Sequence, residues 1–169
     1  MVIEAPVRES VPLESVVRAL LADVSDPEIP TVSIVELGLV HRVAVSAGSI
    51  RVELLPTFVG CPALDVLRAA VEERLSGLAA SVEVAFSFSE PWTSERITPE
   101  GRARLRASGF APPMPAADPD QALPVLPLAT CPFCGSPRAT LENAFGPTLC
   151  RAIYYCADCR QPFELFKSV

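Results

Sequence analysis

Leu39-Val40-His41-Arg42-Val43-Ala44-Val45-Ser46-Ala47-Gly48-Ser49-Ile50-Arg51-Val52-Glu53-Leu54 is the stretch that decides the fold of the first domain. Leu39 to Val45 has strand character, and Ala47-Gly48-Ser49 is turn-like. Ile50, Val52 and Leu54 then alternate with Arg51 and Glu53, so two strands fold back on each other as a hairpin with one apolar face. That face needs cover. Upstream, Leu13, Val16, Val17, Leu20, Leu21 and Val24 recur at helical spacing, which predicts a helix over 13–24. Asp26-Pro27-Glu28-Ile29-Pro30 stops it, because a proline disfavours α geometry in the residue before it. Downstream, Leu64, Leu67, Val71, Leu75 and Leu78 predict a helix over 62–78, and Val82, Val84, Phe86 and Phe88 a third strand. The order α-β-β-α-β predicts an α/β layer with helices packed on a small sheet.

Thr98-Pro99-Glu100 carries an N-cap, a proline at the first helical position and an acid in the first turn, with Gly109 as the C-terminal stop. Residues 111–129 are rich in proline and alanine and read as a linker between an α/β domain with a short helical extension (1–110) and a terminal domain (130–169). That last domain contains Cys131-Pro132-Phe133-Cys134-Gly135 and Cys156-Ala157-Asp158-Cys159. Two C-x2-C pairs supply the four thiolates of a tetrahedral ion, so a zinc-ribbon-like unit is expected, with Cys131, Cys134, Cys156 and Cys159 as ligands. A rubredoxin-like iron site would show C-P-x-C-G at both knuckles. Here Arg160 follows Cys159, which favours structural Zn2+. Cys150, a fifth thiol nearby, is open to two readings, a substitute ligand or, preferred, a buried apolar cysteine.

Half of the 169 residues are apolar, and the formal charge is −6, which disfavours a nucleic-acid binder. The first residues show neither a basic region nor an apolar run. The longest uncharged stretch, Gln121 to Pro137, contains four prolines and cannot span a membrane as a helix. Six cysteines without an export signal point to reduced thiols and a cytoplasmic protein. The single histidine, His41, lies in register with Leu39, Val43 and Val45 as a half-buried strand residue and leaves little room for a Cys-His or Ser-His pair. Arg96, Arg102, Arg104 and Arg106 form a basic cluster, either a solvated helix face or a docking surface for an acidic partner.

Cys61 stands between the second strand and the second helix in Pro56-Thr57-Phe58-Val59-Gly60-Cys61-Pro62. With Pro62 as the first helical residue, Cys61 would lie at the N-cap. Free amides and the helix dipole there favour thiolate, so an accessible thiol of low pKa is expected. Asp26 and Glu28 are open to two readings, as turn formers or as metal or acid–base carboxylates.

Asp26-Pro27-Glu28-Ile29-Pro30, Val32-Ser33-Ile34-Val35-Glu36-Leu37-Gly38-Leu39-Val40 and Thr57-x-x-Gly60-Cys61-Pro62 together resemble the iron–sulfur assembly domain of the SufT-like family. Pro91-Trp92-Thr93-Ser94-Glu95-Arg96-Ile97-Thr98 is similar to that family's C-terminal extension. With Cys131 to Phe166 added, residues 13–169 resemble the D-type family of accessory chains in bacterial phenylacetyl-CoA epoxidase systems. The resemblance implies an accessory role in aerobic phenylacetate degradation, maturing metal centres rather than oxidising substrate. It implies partners among the other epoxidase subunits, the iron–sulfur reductase included, and leaves a homo-oligomer open. The family's cysteine maps to Cys61, a transient ligand of iron or an iron–sulfur cluster. Its acidic loop maps to Asp26 and Glu28, and Thr57 opens the cysteine motif. A structural or docking role within the oxygenase complex and a rubredoxin-like carrier are the alternatives. Related chains tend to end Phe-Lys-Cys, where this one has Phe166-Lys167-Ser168.

Overall fold

The computed structural model describes residues 14–58, 60–113 and 129–167. Helix α1 (Glu14–Leu21) is followed by the hairpin β1 (Val40–Ser46) and β2 (Ser49–Leu54), helix α2 (Leu64–Leu75) and strand β3 (Ser81–Phe86). The expected α-β-β-α-β order is present. β1 and β2 pair antiparallel around Ala47 and Gly48, and Gly48 takes the positive φ of 79° that this turn demands. The α2 crossover brings β3 back parallel to β2, giving the sheet order β1-β2-β3. Ile50, Val52 and Leu54 point into the core as their alternation predicts, while Arg51 lies outside and bridges Glu53 and Glu83. A register irregularity between Val40 and Arg42 buries Val40 and leaves His41 half-buried against Glu90. Val17 and Leu21 of α1 and Leu67, Val71 and Leu75 of α2 close the other side of this core.

The second helix begins two residues later than the proline suggests. Its N-cap is Ala63, with no side-chain cap, and Pro62-Ala63 forms a turn ahead of it. It also ends earlier than 78, because Ser76 leaves helical geometry and Gly77 follows at a φ of 80°.

Residues 91–109 wrap onto the turn at 33–38. Ser33 and Glu36 form a reciprocal capping box: the Ser33 N–H donates to Glu36 Oε2 (2.9 Å) and the Glu36 N–H to Ser33 Oγ (3.2 Å). Helix α3 (Pro99–Ala107) is capped by Thr98, whose Oγ1 accepts from the Gly101 N–H (3.0 Å), and Gly109 ends it at a φ of 84°. A Cβ on Gly101 would stand 2.6 Å from the Glu36 carbonyl oxygen, and one on Gly38 would stand 2.3 Å from that of Arg96. Two glycines therefore permit this close wrap. Trp92, buried, donates its indole N–H to the Leu37 carbonyl at 2.9 Å.

The expected linker does not begin at residue 111. Phe110–Ala111 forms β4 and pairs parallel with β7 (Pro162–Phe166). The second sheet has the order β4-β7-β6-β5, with β5 at Ala139–Asn143 and β6 at Arg151–Cys156. Residues 114–128, most of the expected linker, and Ser168 lie outside the described residues. The ribbon meets the first domain through β7: Phe166 packs edge-on against Trp92, centroids 5.7 Å apart, and both belong to the core of the first domain together with Cys150. Among the described residues no helix is long and apolar enough to cross a membrane.

Candidate functional site

Two sets of sulfurs emerge. The first is the ribbon set: the sulfurs of Cys131, Cys134, Cys156 and Cys159 lie within 4.8 Å of one another. Cys131 and Cys159 are 3.6 Å apart at sulfur, as are Cys134 and Cys156. Metal–sulfur bonds of about 2.3 Å give a tetrahedron with edges of about 3.8 Å, so these residues fit a single tetrahedral ion.

Both knuckles are the same turn. Cys131 N–H donates to the Ser136 carbonyl and Gly135 N–H to the Cys131 carbonyl, both at 2.9 Å; Cys156 N–H donates to Gln161 and Arg160 N–H to Cys156, both at 3.0 Å. The turn requires a left-handed residue after its second cysteine. Gly135 supplies it at a φ of 73°, and Arg160 supplies it at 60° with a side chain attached. Ser136 Oγ donates to Asp158 and Arg138 pairs with the same carboxylate at 2.9 Å, which ties one knuckle to the other. Backbone N–H groups also reach the sulfurs, from Ser136 to Cys134, from Cys159 and Asp158 to Cys156, and from Gln161 to Cys159. They hold the Cys156 thiol down to about 7, the Cys159 amide foremost, while desolvation pushes Cys159 up to about 12. A divalent cation resolves that conflict by taking all four as thiolates.

The second set lies where the two domains meet. Asp26 Oδ1 accepts from the N–H groups of Glu28 (2.8 Å) and Ile29 (2.9 Å), so Asp26 builds the turn that presents Glu28. Its carboxyl is raised, chiefly by burial. Glu28 contacts one cysteine and acts electrostatically on a second. The buried Cys150 donates its S–H to Glu28 Oε2 at 3.4 Å, and the Glu28 and Asp26 charges both act on Cys61. From the ribbon side, Arg151 donates from Nη2 to the Glu28 carbonyl at 2.6 Å and from Nη1 to Glu164 at 2.9 Å, with its guanidinium 4.9 Å above the Phe110 ring.

The expected low-pKa thiol at Cys61 is not what this environment produces. The Ala63 N–H does reach the sulfur and favours thiolate. Burial outweighs it, and Glu28 and Asp26 push further in the same direction, so the Cys61 thiol is raised. Cys61 also stands two residues before the N-cap rather than on it. The Glu28 and Asp26 charges thus both act on Cys61, and Thr57 is half-buried in the loop that precedes it. Sequence reading missed the arrival of Cys150 and Arg151 at this loop. Arg151 in a strand of otherwise apolar character, Arg151-Ala152-Ile153-Tyr154, was the available signal.

Comparison with known proteins follows the same division. Residues 14–86 match the family described as iron–sulfur cluster assembly protein, and residues 117–167 match the PaaD zinc beta ribbon domain. A protein of Escherichia coli (strain K12), provisionally named as the D component of 1,2-phenylacetyl-CoA epoxidase, is 37% identical over 152 residues, covering 89% of this chain and 90% of the relative. The chain belongs to the PaaD family of phenylacetyl-CoA epoxidase components. Among solved structures, a domain of unknown function (DUF59) from Bacillus anthracis is 31% identical, with a TM-score of 0.51 over 54% of this chain and 90% of that one. The family therefore joins a DUF59-like α/β domain to a four-cysteine ribbon.

Proposed function

We propose that this chain is an accessory subunit of aerobic phenylacetate degradation that assists maturation of the iron–sulfur or iron centres of the phenylacetyl-CoA epoxidase complex. The observation that carries this reading is the match of residues 14–86, with Cys61 in the loop before α2, to the iron–sulfur cluster assembly family. A thiol held protonated mainly by burial suits transient capture: it binds when a cation displaces the proton and lets go when the cation leaves. The four ribbon cysteines hold Zn2+ as a staple, and the client is the iron–sulfur reductase of the complex, met in the cytoplasm. The chain itself carries out no oxidation of substrate. Reconstitution of the reductase cluster with the native chain and with Cys61→Ala tests this. A slower and less complete reconstitution with the variant is expected; equal rate and yield overturn it.

One observation favours a second reading, a docking role on the oxygenase. Phe88 is exposed beside Thr57, Phe58 and Pro91, an apolar face suited to a protein partner. Stable co-purification with the oxygenase subunits, with activity indifferent to Cys61→Ala, would support docking instead.

A further inference from the structure

The outer strands are β1 and β3 in the first sheet and β4 and β5 in the second. All but β3 are blunted against pairing. β1 breaks register between Val40 and Arg42 and carries His41 and Arg42 there, β5 breaks between Leu141 and Asn143, and β4 is two residues long. β3 instead pairs with β2 residue for residue from Ser81 to Phe86, contains no proline, and has Glu83 as its single charged residue. The N–H groups of Ser81 and Ser87 donate toward β2, to the Gly48 and Leu54 carbonyls at 3.0 and 2.8 Å. Alternation along the strand therefore turns the N–H and C=O groups of Val82, Val84 and Phe86 the other way. Among the described residues no strand pairs with that side.

We propose that β3 pairs antiparallel with β3 of a second copy of this chain, about a two-fold axis at Val84, so that the two small sheets become one. The strand itself selects both the occupant and the register. Hydrogen-bonded pairs must come from Val82, Val84 and Phe86, whose backbone groups face outward. An axis at Val84 pairs Val84 with its own copy and Val82 with Phe86 of the second copy. Val82 and Phe86 are half-buried on the same face as the buried Val84, so each covers apolar surface that the other leaves open. Glu83 then stands opposite Ala85 of the second copy, and its charge is already met by Arg51 at 3.1 Å on its own side. An axis at Glu83 would instead set two carboxylates directly opposite, and one at Ala85 would set Val82 against Phe88, past the end of the strand. The segment is thus complementary to itself, as a two-fold interface requires. The two copies of β2 run in opposite directions in the joined sheet. Their Cys61 loops, which follow β2, leave from opposite ends, so the dimer carries two separate thiols rather than one shared site.

Sedimentation equilibrium and amide hydrogen exchange on the full, zinc-loaded chain test this. The native chain should dimerise reversibly. The Val82, Val84 and Phe86 amides should gain protection as the dimer forms, while those of Glu83 and Ala85 are protected throughout by β2. Ala85→Glu sets like charges opposite each other twice, so the dissociation constant should rise about tenfold. Adding Glu83→Lys to that variant should restore the native value, with zinc content and Trp92 fluorescence unchanged in both. A native chain that stays monomeric up to about 1 mM overturns the proposal. So does a dimer whose Val82, Val84 and Phe86 amides exchange as they do in the monomer, or one that Ala85→Glu leaves as tight as before. A double variant no tighter than Ala85→Glu alone overturns the register. If Ala85→Glu does not fold, the exchange pattern of the native chain decides.

Discussion

The ribbon sulfurs are gathered within 4.8 Å by two matching turns, and backbone N–H groups point at three of them; Cys150 instead donates to the Glu28 carboxylate, and the Glu28 and Asp26 charges act on Cys61 from within the first domain. The ribbon gathers its four sulfurs to surround an ion, with backbone N–H groups holding Cys156 down while burial pushes Cys159 up. The junction disfavours thiolate, since burial and carboxylate charge raise both of its thiols. Two sets of cysteines in one small protein thus differ for reasons visible in their neighbours: matching turns close one set around a single point, while burial and carboxylate charge hold the other protonated.

The largest effect expected is on the ribbon. Structural zinc contributes about 10–16 kcal/mol of apparent binding free energy in small ribbon and finger units, so removing it should unfold the unit. Replacing Cys156 with Ala should release the metal and abolish hydrogen-exchange protection in β5, β6 and β7, while β1, β2 and α2 keep theirs. Equal protection before and after would mean that the ribbon stands without its staple, and the contrast with the junction would lose its basis.

Next is Trp92, which joins the two domains through Leu37 and Phe166. Trp92→Ala should cost about 3–5 kcal/mol in denaturant unfolding, as for other large buried aromatics. Zinc content should stay native, because Leu37 and Phe166 both lie outside the knuckles. Loss of zinc in this variant would show that the two sites are one cooperative unit.

The two sites should also respond to pH with opposite sign. The Cys150 thiol is pushed up from 9.0 to about 11, mainly by burial. A group whose folded pKa is raised keeps its proton in the folded state over that interval. Its contribution is full below pH 9 and is lost as pH rises toward 11. The ribbon, whose ligands must be deprotonated to hold an ion, weakens instead as pH falls. Urea unfolding from pH 8 to 11 should show a declining stability that Cys150→Ala flattens, and zinc retention should fail only on the acid side. A native curve with no alkaline decline would remove this difference.

The smallest effect compares the knuckles with each other. Arg160 adopts the left-handed geometry that Gly135 adopts freely. The strain is about 1–2 kcal/mol, partly offset by the greater freedom glycine has when unfolded, so Arg160→Gly should stabilise the ribbon by about 0.5–1 kcal/mol. Thermal unfolding of the zinc form measures it, and a destabilised variant would mean that the arginine side chain contributes more than its backbone costs.

Much of this was legible in the chain. The hairpin followed from the alternation of Ile50 to Leu54, and α3 from Thr98-Pro99 at its start and Gly109 at its end, because those signals act within a few residues. The knuckles were legible for the same reason. The error at Cys61 had two parts: Pro62 suits a first helical turn but here opens a preceding turn, and the burial that mainly raises the thiol, with the added charges from 33 and 35 positions away, is a tertiary effect. Cys150 reads correctly as buried, yet nothing near it announces Glu28, 122 positions distant. The pairing of Phe110–Ala111 with β7 was hidden too, since two residues carry no periodicity.

That two-residue strand separates two meanings of the word domain. The segment that matches the ribbon family begins at residue 117, after β4 has already been made. A fragment cut there retains all four metal-binding cysteines but exposes an edge of β7 that Phe110 and Ala111 otherwise cover. It also leaves the Arg151 guanidinium without the Phe110 ring beneath it and Glu28 behind it. The inherited module and the structural module have different borders, and a transplanted ribbon should be cut ahead of Phe110 if it is to arrive with its edge sealed.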